Sequence, residues 1–171
     1  MTVMEHAAIR DLLPQGHPMV LVDRVVALDP GVSIVGLKAI TGSEPCYRDA
    51  APAPEPLAYP VSLMLESFGQ TAAVLWLSGL GGAPVRDDHL LMLVAARDCT
   101  IEGRAFPGDV LTHVVRLDHV VGDNVFVAGE ILVDGRRIAT IGSMMAVMRP
   151  RTVLFEPASA PDATNPPGGA P

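Results

Sequence analysis

The chain has 171 residues, 49% apolar and only 4% aromatic, with a formal net charge of -7. So apolar a chain is not a disordered one, and this length is enough for one domain with a real core. The acidic balance argues against an unspecific nucleic-acid binder and removes any simple attraction to an anionic membrane.

The first residues, MTVMEHAAIRDLLP, carry acidic side chains and no apolar h-region, so no signal peptide is expected. Cys46 and Cys99 fit neither a disulfide framework nor a zinc pattern, and the expectation is two reduced thiols in a cytoplasmic protein. No metal and no cofactor is implied.

Glu5–Leu13 reads as a short helix stopped by Pro14. Met19–Leu28 and Ser33–Ile40 read as strands, and Asp29-Pro30-Gly31 between them makes a hairpin. Thr41–Tyr59 holds Pro45, Pro52, Pro54 and Pro56 and is read as irregular.

Pro60–Leu80, PVSLMLESFGQTAAVLWLSGL, is apolar on nearly every side, and Pro60 suits a first helical turn. Glu66 and Gln70 stand four residues apart and share one face. Both would be costly in lipid, and the flanking chain alternates like β-sheet. The reading is a helix buried by sheet, with an acid held inside. A buried acid is expensive, which makes Glu66 the first functional candidate.

Leu90–Ile101, Val110–Val121, Val125–Val133 and Arg137–Met148 read as strands, the last pair joined by the hairpin signal Asp134-Gly135. They predict a four-stranded antiparallel meander. The fold class is α+β: a curved antiparallel sheet around one long helix, spanning residues 1–148. The Pro-, Ala- and Gly-rich stretch 149–171 is expected to be a disordered tail. Open sheet edges would suit a second subunit, so a dimer is expected.

Four segments carry a resemblance: LLPQGHPMVLVDRVVALDPG at Leu12–Gly31, EPCYRDAAP at Glu44–Pro52, PVSLMLESFGQTAA at Pro60–Ala73 and AFPGD at Ala105–Asp109. In this order they resemble the FabZ-type β-hydroxyacyl-acyl-carrier-protein dehydratases, which have the hotdog fold. The resemblance implies loss of water from a 3-hydroxyacyl thioester on a carrier protein, in fatty-acid or polyketide assembly. A loop histidine acts as base, a helix carboxyl as acid, and helix-start amides hold the thioester oxygen; each site is shared between two subunits. By this likeness Glu66 is the acid and Gln70 its companion. Val61 supplies the amide where the family usually has glycine. Phe68, with Leu75 and Trp76, is core first and a candidate wall of an acyl tunnel. The base is replaced: Asp49 and Ala50 stand where the family has Gly-His.

The expected function is therefore the acidic half of a dehydratase site, completed by a histidine-bearing hotdog partner in a heterodimer. A homodimer, a non-catalytic acyl-thioester binding or stabilising subunit, and a hotdog thioesterase stand beside it. An isolated hydratase using His17 or Asp49 as base ranks last. Gln70 is either an orienter of Glu66 or a polar residue on the helix surface. His113 and His119 are placed on the same strand face, roughly 20 Å apart and too far to share a metal ion. Cys46 is read as a small buried hydrophobe rather than a nucleophile. Arg97, Arg104, Arg136 and Arg137 are candidates for docking an acidic carrier protein, or else a solvated face.

Overall fold

The computed structural model of the protein describes residues 3–48, 57–81 and 88–152. Its secondary structure runs β1 (Met4–Glu5), α1 (His6–Leu12), β2 (Arg24–Asp29), β3 (Ser33–Ala39), a 3-10 turn at Pro45–Tyr47 and α2 (Val61–Gly79). Four long strands follow: β4 (His89–Ile101), β5 (Val110–Val121), β6 (Asn124–Val133) and β7 (Arg136–Pro150). All seven strands form one antiparallel sheet in the order β1-β2-β3-β5-β6-β7-β4. The sheet packs on α2 as the alternation of its strands required.

Pro60 caps α2, and its carbonyl accepts from the N–H groups of Leu63 and Met64. From Thr71 to Leu77 every helix residue is buried. The helix packs chiefly on β3, β5 and β6. Contact with β3 is close enough that a Cβ on Gly36 would meet Thr71 Cγ2 at 2.7 Å.

Two short motifs fix where the helix starts. In Phe106-Pro107-Gly108-Asp109 the Phe106 N–H donates to the Asp109 carboxylate at 2.8 Å, with Gly108 at φ +104. Gly108 N–H and Ile40 C=O, and Ile40 N–H and Asp109 C=O, then tie this turn to the end of β3 at 2.9 Å each. One step upstream, Ala105 C=O accepts from Tyr59 N–H at 2.7 Å and sets the approach to α2. Asp23 works at the other edge: its N–H donates to Leu37 C=O and its carboxylate accepts from Ala39 N–H.

Several expectations need correction. The four late strands are not a meander. Only β5, β6 and β7 follow one another, while β4 lies beyond β7 at the sheet edge. The chain from 102 to 109 crosses back to β3, held on the way by Ile138 C=O accepting from Glu102 and Gly103 N–H. The second strand starts at Arg24, not Met19, because Met19 C=O and Leu21 N–H are both taken by the side chain of Gln70. Residues Met4–Glu5 pair with Arg24–Val25 instead of opening the first helix. The last strand runs to Pro150, two residues into the predicted tail; residues 153–171 lie outside the described residues.

His113 and His119 are on opposite faces. A bulge between Leu117 and His119 reverses the alternation. His113 is fully buried against Phe68, and His119 stacks on Phe126 on the outer face.

Candidate active site

Along α2, Glu66, Gly69, Gln70, Ala73 and Trp76 recur at three- and four-residue spacing and form one stripe. That stripe faces a cavity of about 210 Å³, closed on the far side by Leu91 and Leu93 of β4, Val125 and Val127 of β6, and Met144 and Ala146 of β7. Gly69, Ala72 and Ala73 leave the space that larger side chains would fill. The polar groups are Gln15, Glu66 and Gln70, so one end is polar and the wall runs apolar toward Trp76.

Gln70 is the anchor of the polar end. Only 1% of it is exposed, and both polar atoms of its amide are hydrogen-bonded. Its Oε1 accepts from Leu21 N–H at 2.7 Å, and its Nε2 donates to Met19 C=O at 2.6 Å and to Glu66 Oε1 at 2.8 Å. It is therefore an orienter of Glu66, not a surface residue. Gln15 Nε2 donates to the same Glu66 Oε1 across a longer 3.4 Å. Both donors fall on Oε1, which leaves Oε2 as the oxygen without a partner among the described residues.

The other expected residues fall elsewhere. Val61 is the first residue of α2, where the amide precedes the first intrahelical hydrogen bond. It lines a separate cavity with Tyr59, Met64 and Arg104. Phe68 lines no part of the Glu66 cavity: it is 0% exposed and meets His113 edge-on at 6.1 Å. Leu75 is core as well, and Trp76 alone of the three lines the cavity. Asp49 and Ala50 lie outside the described residues.

Among the described residues, no histidine lines the Glu66 cavity. His17 and His6 line a different groove beside Lys38 and Glu44, which form a buried ion pair at 2.5 Å. His89 pairs with Asp88 at 2.7 Å. His113 is sealed under α2, and burial pushes it down from 6.5 to about 3, so it is neutral. Its Nε2 lies 2.9 Å from Ser67 Oγ, which also donates to Met64 C=O. One hydroxyl hydrogen cannot serve both, so with Ser67 donating to Met64 the imidazole carries its proton on Nε2. Nδ1 is then a buried acceptor without a partner among the described residues.

Burial, then Glu44, pushes the Cys46 thiol up, which disfavours a thiolate nucleophile. Burial and Asp98 do the same to Cys99. Arg97 lines an outer groove with Phe126 and Met145, Arg104 lines the Val61 cavity, and Arg137 is paired with Glu102 and Glu130. Among the described residues, no group of three His, Cys, Asp or Glu could hold a metal ion, and no helix is long and apolar enough to cross a membrane.

Sequence reasoning did not find Gln15 or the Ser67–His113 pair. The second left a readable trace: Ser67 and Thr71 form a small hydroxyl stripe in an apolar helix, and His113 shares the inward register of Leu111 and Val115. Gln15 has no such periodicity to reveal it.

The model of the FabA-like domain family matches residues 13–142. The chain belongs to the FabZ-type hotdog dehydratases. It is 32% identical over 149 residues to the 3-hydroxyacyl-acyl-carrier-protein dehydratase FabZ of Anaeromyxobacter sp., covering 87% of this chain and 92% of that protein. To the FabZ of Paracidovorax citrulli it is 33% identical over 147 residues, covering 86% and 98%. The hotdog fold is shared with a chain of the dehydratase heterocomplex ApeI:P from Xenorhabdus doucetiae, at TM-score 0.69 and 19% identity over 86% of this chain and 93% of that one. A thioesterase superfamily member from Thermus thermophilus has the same fold at TM-score 0.57 and 15% identity, covering 75% and 88%. On the central helix of this chain, Glu66 and Gln70 are joined by a hydrogen bond.

Proposed function

We propose that this chain supplies the acidic half of a 3-hydroxyacyl thioester dehydratase site whose histidine comes from a second hotdog subunit, acting on carrier-protein substrates in the cytoplasm. The observation that carries the reading is Glu66: its carboxyl is held by Gln70 at the polar end of an apolar cavity with no histidine in its lining.

In the reaction the partner's base takes a proton from the carbon next to the thioester. The bond from C3 to oxygen breaks, and Glu66 gives its proton to that oxygen, which leaves as water. A double bond between C2 and C3 keeps the electron pair. Developing charge on the thioester oxygen needs amide donors, and the free N–H groups at the start of α2 are suited to that. Val61 and Glu66 of one chain line separate cavities. The Val61 amide would therefore serve the companion site, opposite the partner's acid. β4, a 13-residue edge strand paired only with β7, offers a ladder for the second subunit.

Native mass spectrometry of the chain recovered from its own host tests this. A heterodimer with another hotdog protein is expected, dehydrating a 3-hydroxyacyl carrier-protein thioester that the chain alone leaves unchanged. Full dehydratase activity of the chain by itself would overturn the shared site. An assembly whose rate is unaltered by Glu66→Gln would point to a binding and stabilising subunit.

A further inference from the structure

The two glutamines at Glu66 are in opposite states. Gln70 has used every polar atom, in three bonds of 2.6 to 2.8 Å. Gln15 has one long contact, 3.4 Å to Glu66 Oε1, and its own Oε1 is a buried acceptor with no partner among the described residues. The orientation of this amide is not arbitrary. An ionised carboxylate only accepts, so the NH2 group must face Glu66 and the carbonyl oxygen must be the unmatched end. A protonated Glu66 with its proton on Oε2 gives the same result, because Oε1 already receives two N–H donors. An orphaned buried acceptor keeps its full desolvation cost until a donor reaches it. Gln15 lines the cavity, and the last torsion of a glutamine is soft, so a modest turn presents that oxygen to a ligand.

We infer that Gln15 reads the 3-hydroxyl of the substrate: it accepts the hydroxyl hydrogen while Glu66 gives its proton to the same oxygen. This rests on the dehydratase reading above. Within the acyl part of that substrate, the hydroxyl is the one group that can donate to Gln15 and accept from Glu66 together. A saturated acyl chain offers neither hydrogen bond, and an enoyl product has lost both, which favours its release. Gln15 is thus a specificity residue, separate from Gln70, which only orients the acid.

The test uses the full-length protein in the assembly that dehydrates, with two probes: a 3-hydroxyacyl pantetheine whose thioester is replaced by an amide, and its 3-deoxy counterpart. Wild type should bind the hydroxy probe about tenfold more tightly, the equivalent of one hydrogen bond of ordinary strength. Gln15→Met keeps length and removes the amide. It should weaken the hydroxy probe alone and bring the two within about twofold of each other. Gln15→Ala, smaller and unable to clash in the cavity, should lose the same preference and gives a second reading if Gln15→Met folds poorly. Equal weakening of both probes, or an unchanged preference for the hydroxy probe, in these variants would overturn the inference and leave the dehydratase reading standing. Failure of the wild-type assembly to bind either probe would remove both.

Discussion

Gln70 and Glu66 stand one turn apart on α2, and the amide of the first holds the carboxylate of the second at 2.8 Å while gripping the chain at Met19 and Leu21. One side chain thus fixes both the acid and the segment that carries Gln15. Gln70→Leu should break both. It leaves Leu21 N–H unmatched in a buried place and Met19 C=O without its partner in a part-buried one, at a cost of about 1–3 kcal/mol. Urea unfolding should show that loss, and a change below half a kcal/mol would mean the clamp is not real.

His113 predicts an acid weakness. The folded imidazole is held down near 3 by burial, and the unfolded one titrates near 6.5. Between those values the unfolded state binds more protons. Stability is therefore full above about pH 6.5 and falls as pH drops toward 3, by up to about 1.4 kcal/mol per pH unit. His113→Leu should lose that part of the slope between roughly pH 4 and 6. Parallel slopes for the two proteins in thermal or urea unfolding would contradict the assignment.

Gly36 is required by the helix above it. A methyl there would stand 2.7 Å from Thr71 Cγ2 and 2.8 Å from its Oγ1. Gly36→Ala should destabilise by about 1–3 kcal/mol. Thr71→Ala in the same chain should recover much of it, because it removes the two atoms in conflict. A double-mutant cycle measures the coupling, and simple additivity would mean that β3 gives way on its own.

Trp76 is the one tryptophan of the sequence, and it lines the cavity that ends at Glu66. Filling that cavity with an acyl chain should change tryptophan emission in a saturable way, with longer chains giving the larger effect. Trp76→Phe should abolish the signal while binding, followed by calorimetry, continues. Binding without any change in emission would place the acyl chain elsewhere.

Much of this fold was legible because local rules agreed with the whole. The long helix formed where it was expected, with Pro60 just before its first turn rather than in it, and Asp134-Gly135 turned with both residues at positive φ. What sequence could not carry was non-local. The position of β4 depends on where residues 102–109 cross, and the late start of β2 depends on a helix side chain far along the chain. The facing of His119 depends on one inserted residue at a bulge, which no alternation pattern announces. At the site, Glu66 and Gln70 were visible through helical spacing and family likeness. Gln15 was not, since its contact spans 51 positions between an irregular segment and a helix. Phe68 is core, as first read, and it does not line the Glu66 cavity for a geometric reason: two residues from Glu66 on a helix is nearly the opposite side.

The most direct test of the shared acid is single-turnover dehydration of a 3-hydroxyacyl carrier-protein thioester by the two-subunit assembly, wild type against Glu66→Gln. The account predicts a drop of about 10²–10⁴ in the chemical step, with the assembly intact and the substrate still bound. An unchanged rate in an intact Glu66→Gln assembly would contradict it.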